Sequence, residues 1–200
     1  MKKISIIITT YNRENTILMT LDSIPIRNDL EIILIDDCSN DDTFSLVEAY
    51  NRLSIKRIRN EKNLGEALTR NIGFDHATGE YLYAVDGDDW LFPIEFNNFI
   101  DNFLYKTNSM YDIIRVPIKS NYGEMFNLDG KCCAFNTMLI KRSFMGNIRC
   151  QDIKYISDKI VNEELKKLNP KTIVYPYCFY HYNYPNKNSL TWEKNHKDFE

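Results

Sequence analysis

Three short apolar runs constrain what this chain can fold into more than any other feature. They occupy residues 4–8, 31–35 and 81–85, the first reading Ile4-Ser5-Ile6-Ile7-Ile8, and residues 55–59 read as a further, shorter strand. β-Branched runs of this length read as strands buried on both faces of a sheet. Segments with helical spacing lie between them. Residues 14–23 carry Ile17, Leu18 and Leu21 on one face, residues 42–53 follow a stretch of Asp and Ser able to cap a helix, and residues 66–77 carry Ala67, Leu68 and Ile72. Pro25 closes the first helix. Thr78-Gly79 closes the third, with glycine read as a left-handed helix end. Alternation of strand and helix over residues 1–90 predicts a parallel sheet with right-handed crossovers.

The second half changes character. Pro93 suits a first helical position, and Ile94, Phe96, Phe99, Ile100, Phe103 and Leu104 give the helix after it a broad apolar face. Residues 111–117, 122–127 and 132–140 read as strands whose hairpin pattern makes the sheet mixed. Residues 152–168 read as an amphipathic helix, with Ile156, Ile160, Val161, Leu165 and Leu168 at core spacing. Residues 171–184 read as an aromatic strand segment, followed by a polar tail from Asn186. The fold class is therefore α/β, with a mixed, mostly parallel central sheet between helical layers. At 200 residues the chain suits one domain, residues 1–200, made of two halves that meet near Trp90.

Composition narrows the class. A formal net charge of −3 gives no basic footprint for a nucleic acid, so none is expected as a partner. The cysteines are Cys38, Cys132, Cys133, Cys150 and Cys178; their number is odd, two are adjacent, and no C-x-x-C occurs. That pattern argues against a disulfide framework or a zinc site and fits a reducing compartment. No apolar run approaches the ~20 residues of a membrane span. The N-terminal run ends at Thr9-Thr10-Tyr11-Asn12, too early for a signal peptide. The expected location is the cytoplasm, or the inner membrane face as a peripheral protein.

The chemistry gathers at strand ends. The run Tyr81-Leu82-Tyr83-Ala84-Val85 stops in Asp86-Gly87-Asp88-Asp89. Three carboxylates so close repel one another unless a positive charge offsets them, and a hard divalent cation shared with a diphosphate is the usual solution. The plain alternative is an acidic turn leading into a helix N-terminus. In a parallel sheet the strand ends share an edge, so residues 9–13, Asp36, Asp37 and residues 86–89 converge in one crevice. Hydroxyls, an aromatic ring, a cation and several carboxylates suit a nucleotide. There is no G-x-G-x-x-G and no G-x-x-x-x-G-K-[ST], so neither a dinucleotide fold nor a P-loop is signalled.

The same residues carry a resemblance. Ser5-Ile6-Ile7-Ile8-Thr9-Thr10-Tyr11-Asn12-Arg13, Leu34-Ile35-Asp36-Asp37-Cys38-Ser39-Asn40-Asp41, Asn63-Leu64-Gly65 through Ala67, Arg70-Asn71-Ile72-Gly73, Gly79-Glu80-Tyr81 and Asp86-Gly87-Asp88-Asp89-Trp90 stand in the order and spacing of family 2 glycosyltransferases. Gln151-Asp152 and Tyr180-His181-Tyr182 through Asn188-Ser189-Leu190-Thr191 resemble the family more loosely. The resemblance implies the GT-A fold, a Rossmann-like three-layer α/β/α sandwich, with a nucleotide-binding half at residues 1–90 and an acceptor-binding half at residues 91–200. It implies inverting transfer of a sugar from a nucleotide diphosphate, a UDP-sugar first, to a hydroxyl of a glycan or other acceptor, assisted by Mn²⁺ or Mg²⁺. Family members of this kind build surface polysaccharides.

Carried over residue by residue, Thr9, Tyr11 and Arg13 line the base and ribose, and Asp37 bonds the base while Asp36 is more structural. Asp86 and Asp88 form the D-x-D motif, with Asp88 the direct metal contact and Asp86 the ligand of ribose or metal-bound water. Arg70 positions the diphosphate or Asp86. Asp152 matches the family's base at a helix start; Gln151 stands where an acid is usual, and Asp158 is the second candidate. His181 reads as part of an aromatic cluster ahead of a third metal ligand. A homodimer or a partner transferase is an open expectation. A nucleotidyltransferase would want a glycine-rich basic loop where residues 9–13 stand, and a catalytically idle nucleotide- or carbohydrate-binding module is the remaining alternative.

Overall fold

The computed structural model describes residues 3–123, 125–126, 132, 134–153 and 157–183; the Asn188-Ser189-Leu190-Thr191 word, the tail from Asn186, Cys133 and Ile156 lie outside them. In the first half β1 (Ile4–Thr10), α1 (Ile17–Asp22), β2 (Leu30–Asp36), α2 (Thr43–Ala49), β3 (Ile55–Arg59), α3 (Glu66–His76) and β4 (Tyr81–Asp86) alternate as the pattern predicts. β1 pairs in parallel with β2 and β4, and β2 with β3. Every residue of β1 is buried. Successive side chains of a strand point to opposite faces, so β1 feeds two cores. Ile4, Ile6 and Ile8 join Ile17, Leu21, Val47 and Phe96 on one face. Ile7, with Ile33 and Ile35, joins Phe74, Val161 and Leu165 on the other. These two cores separate the three layers.

The second half contributes β5 (Trp90–Leu91), α4 (Pro93–Phe99) running into a π-helical turn at Ile100–Leu104, β6 (Ile113–Arg115), β7 (Ile118–Ser120), β8 (Met125–Phe126), β9 (Met138–Lys141), α5 (Arg142–Met145), α6 (Ser157–Lys167), β10 (Thr172–Val174) and β11 (Tyr180–Tyr182). The large sheet has the order β10-β6-β9-β4-β1-β2-β3. β9 runs antiparallel between β4 and β6, which makes the sheet mixed. A second sheet, β5-β11-β7-β8, stands beside it. Among the described residues no helix is long and apolar enough to cross a membrane.

Four expectations change in detail. The strand expected at 111–117 ends at Arg115, and the chain crosses to the second sheet at Ile118; Pro117 has no N–H with which to continue a ladder. The strand expected at 132–140 is a 3₁₀ turn at Phe135–Thr137 followed by β9. The aromatic segment 171–184 splits into β10 and β11, in different sheets, around Pro176. The helix expected at 152–168 begins at Ser157, so Asp152 lies on an exposed bend instead of a helix start.

Rings fasten the second half to the first. Phe96 and Phe99 are fully buried under α4, and their ring centroids lie 5.0 Å and 4.8 Å from that of Phe179. Tyr83 of β4 meets the same Phe179 edge-on at 5.8 Å. Offset and edge-on contacts of this kind add about 0.5–1.5 kcal/mol each beyond the area they bury.

The glycine after α3 has a different reason from the one its position suggests. The helix stops at His76 and Ala77 is already extended, with φ −74° and ψ 137°. Gly79 is not among the residues with positive φ. Its backbone instead lies against β1: a Cβ there would stand 2.6 Å from Ser5 N and 2.8 Å from Ile4 C. Backbone atoms of a central strand cannot move aside as a side-chain tip can. Gly79→Ala is expected to destabilise the fold by about 1–3 kcal/mol, as overpacking does, measured by denaturant unfolding. An unchanged midpoint would refute the close-approach account.

Candidate functional site

β1, β2 and β4 end together. Thr9 is the register partner of Asp86, and Thr10 of Asp36. Past β4 the chain turns at once: Gly87 N donates to Thr9 O at 3.0 Å and Asp89 N to Asp86 O at 3.0 Å. A side chain at Gly87 would stand 2.7 Å from Thr10 Oγ1 and 3.1 Å from Thr9 O, so the residue between the two aspartates is fixed by the end of β1. Asp89 turns inward. Its Oδ1 accepts Asn183 N at 2.8 Å and its Oδ2 accepts the Tyr180 hydroxyl, whose oxygen in turn accepts Asp86 N at 3.3 Å. Tyr180, from the second sheet, thus holds the acidic turn in place. The sequence analysis gave neither Tyr180 nor Asp89 this role; the only signal was the Tyr-His-Tyr word near the end of the chain.

Asp86 and Asp88 face the crevice, each with its own arginine. Arg70 is 3% exposed and reaches three carboxylates: Glu66 on its own helix, Asp86 at 3.2 Å and Asp158 of α6 at 3.2 Å. Arg13 Nε lies 3.1 Å from Asp88 Oδ2. Burial opposes the charge of Arg70, but Glu66, Asp158 and Asp86 together hold its pKa well above the ordinary value. Burial, reinforced by Glu66, pushes the Asp86 carboxyl up to about 7. Burial also raises Asp88 against the pull of Arg13, and Asp158 against the pull of Arg70. Among the described residues, carboxylates outnumber guanidiniums at this edge. Among the described residues no group of three or more His, Cys, Asp or Glu is arranged to hold a metal by itself. Asp86 and Asp88 supply two hard oxygen ligands, and a cation shared with a diphosphate needs only one or two from the protein. The donor set therefore fits Mn²⁺ or Mg²⁺ arriving with such a group.

The other strand ends build the wall of the crevice. Asp36 is fully buried, accepts Ser39 N at 3.0 Å and the Ser39 hydroxyl, and forms an ion pair with Arg59, whose Nε lies 3.3 Å from Oδ2. Asp37 accepts Leu64 N, Gly65 N and Asn60 Nδ2, each at 2.8 Å. A carboxylate offers about four lone-pair positions, so Asp37 retains one after tying down the loop before α3. Thr9 and Thr10 are buried, and Tyr11 is exposed at the rim.

The remaining predicted residues divide. Asp158 is in the web, also accepting Phe135 N at 3.2 Å. Asp152 is exposed, outside the web. The stretch leading to Asp152 is anchored by Asn71, whose amide donates to Cys150 O and accepts Cys150 N, both at 2.8 Å. His181 stacks on Trp90 with centroids 3.9 Å apart, and its Nε2 meets Asn121 Oδ1 at 2.8 Å, a packed aromatic arrangement.

Comparison with known proteins agrees with the fold. Residues 5–161 match the profile of Glycosyl transferase family 2. A poly(ribitol-phosphate) beta-N-acetylglucosaminyltransferase, TarS of Staphylococcus aureus, is 37% identical over 97 residues, covering 46% of this chain and 17% of TarS. A UDP-Glc:alpha-D-GlcNAc-diphosphoundecaprenol beta-1,3-glucosyltransferase, WfaP of Escherichia coli, is 28% identical over 163 residues, covering 74% of this chain and 64% of WfaP. The chain thus spans less than two thirds of either relative. The crystal structure of TarS 1-349 with UDP-GlcNAc superposes with a TM-score of 0.83 at 22% identity, over 94% of this chain and 60% of that one. The mannosyltransferase PcManGT of Pyrobaculum calidifontis, in complex with GDP-Man and Mn²⁺, superposes with a TM-score of 0.71 at 18% identity, over 96% and 59%. The fold is GT-A.

The raised Asp86 pKa has a measurable consequence. In the folded protein this carboxyl holds its proton from its ordinary value of about 4 up to about 7. Stability from this group is therefore present at low pH and falls as pH rises through that window. Asp86→Asn cannot titrate, so thermal unfolding of the unliganded variant should depend less on pH. Its Tm should exceed wild type near pH ~8, by about 2–4 °C per kcal/mol of repulsion relieved, and show no such gain near pH ~5. Parallel Tm-against-pH curves for the two proteins would contradict the assignment.

Proposed function

The chain belongs to glycosyl transferase family 2, and we propose that it transfers a sugar from a UDP-sugar to a hydroxyl of a glycan or other acceptor, inverting the anomeric carbon. The observation that carries this reading is the Arg70 web. One buried guanidinium joins Asp86, at the strand end where a donor diphosphate would lie, to Asp158, at the start of a helix from the second half. A donor-side and an acceptor-side carboxylate held in one frame are what a single displacement needs.

In this reading Thr9, Tyr11 and Arg13 line the nucleoside side, and Asp37 accepts a base N–H with its remaining lone pair. Asp86 and Asp88 would hold Mn²⁺ or Mg²⁺, which would supply positive charge for the departing diphosphate. Of the two candidate bases, Asp158 fits better than Asp152, because it belongs to the web and burial raises its pKa toward the working range of a general base. Asp158 takes the proton of the acceptor hydroxyl, the hydroxyl oxygen attacks the anomeric carbon from the opposite face, and the bond to phosphate breaks with its electrons leaving on the diphosphate. The UDP-GlcNAc complex of TarS and the UDP-Glc donor named for WfaP favour uridine, while the GDP-Man of PcManGT makes guanosine the base to test against. The names of TarS and WfaP point to a bacterial surface glycan as the acceptor.

Calorimetry of UDP and GDP with and without Mn²⁺ should show tight binding of UDP that requires the metal and is lost in Asp88→Ala. In a transfer or donor-hydrolysis assay, Asp158→Asn should lose about 10²–10⁴-fold in kcat, the range of a general base, while keeping UDP affinity. Asp152→Asn should stay near wild type; the reverse pattern would return the base to Asp152. Nucleotide binding without hydrolysis or transfer to any of a panel of acceptors would identify an idle module instead.

A further inference from the structure

The two arginines of the site are held in different ways. Arg70 is buried on α3 and shared among three carboxylates. Arg13 sits on the crevice side of a rigid turn and pairs with Asp88, its side chain 22% exposed. The backbone under Arg13 is fixed from several directions. Asn12 is left-handed, with φ 51°; its N–H donates to Ser39 Oγ at 2.9 Å, and its Oδ1 accepts Asn40 N at 2.9 Å. Arg13 N donates to Thr43 Oγ1 at 2.6 Å, and Arg13 O accepts Thr16 N and Ile17 N where α1 begins. These bonds pin the backbone, while the guanidinium arm at the mouth of the crevice is held by Asp88 and by Asn12 O, to which its Nη1 donates at 3.2 Å.

That arm stands on a carboxylate that a divalent cation would have to share. Asp88 is nearly buried beside Asp86 and Asp89, so without a positive partner its charge is costly. A cation arriving alone would have to compete with Arg13 for the Asp88 charge. A cation arriving with a nucleoside diphosphate gives the displaced guanidinium a new partner, since its fork matches phosphate oxygens. We propose that Arg13 is a placeholder for the cation: it neutralises Asp88 in the empty site and moves to the diphosphate when cation and nucleotide bind together. This rests on the metal-dependent reading above and goes beyond it. It makes cation and nucleotide binding cooperative through one side chain, and by linkage each tightens the other by the same factor. An empty site then resists loading with a bare cation.

Mn²⁺ binding, followed by calorimetry or by loss of the free-ion electron spin resonance signal, tests this with and without UDP in wild type, Arg13→Gln and Arg13→Lys. Circular dichroism and melting establish that each variant is folded. Arg13→Gln should bind Mn²⁺ without nucleotide at least about fivefold tighter than wild type, and the enhancement by UDP should shrink by a similar factor, within the span of about 5–150-fold typical of such coupling. Arg13→Lys, which restores the charge, should return both quantities toward wild type. If folded Arg13→Gln binds Mn²⁺ no tighter than a wild type that does bind it, or if lysine fails to restore the pattern, the placeholder role is overturned while the metal-dependent reading stands. If wild type binds no Mn²⁺ at any UDP concentration, both fall.

Discussion

A single buried guanidinium ties the working edge of this protein together. Arg70 projects from α3 into the gap between β4 and α6 and meets Glu66, Asp86 and Asp158. A buried ion pair adds little net stability over a well-packed apolar pair, but removing the one guanidinium strands three carboxylates together and costs about 3–5 kcal/mol. Its value here is geometric. It fixes two carboxylates from distant parts of the chain relative to each other. The ring of Phe135 packs beneath it, 5.1 Å from the guanidinium carbon, so the 3₁₀ turn before β9 is also registered to the same charge.

The acidic turn after β4 is held from behind by hydrogen bonds to Asp89. Buried polar groups must find partners, and Asp89 finds them in the Tyr180 hydroxyl and Asn183 N. This makes Asp89 an anchor and leaves Asp86 and Asp88 to face outward. Tyr180 can reach the turn because Phe179 beside it is locked among Phe96, Phe99 and Tyr83. The aromatic layer under α4 thus bears on function as well as stability: it carries the second sheet to the place where its tyrosine completes the first sheet's edge.

The loops of the first half use their polar groups mostly on one another. Asp36 organises its own turn with Ser39, Asp37 binds the loop before α3, and Asn12 clips the exit of β1 to the exit of β2. The wall of the crevice is therefore built before any ligand arrives, and preorganised groups cost no reordering on binding. The part proposed to move is small, namely the Arg13 side chain at its mouth.

The alternation of apolar runs and amphipathic helices was enough to predict the layers and the parallel half of the sheet, because burial on two faces leaves a strand few other places. The strand-end clusters at residues 9–13, 36–37 and 86–89 were legible for the same reason, since parallel strands end on one edge. Local pattern could not say where short second-half segments would pair. β6 and β7 are neighbours in sequence yet lie in different sheets, as do β10 and β11, and that choice depends on partners far along the chain. The sequence put Asp152 first, at an expected helix start, and Asp158 second, six positions further on. The proposal of Asp158 rests on Arg70, 88 positions away, which reaches Asp158. Sequence determined the residue types and the edge on which they gather. Tertiary packing decided which carboxylates share a charge, because pairing of that kind depends on distances of a few ångströms between segments that no periodicity relates.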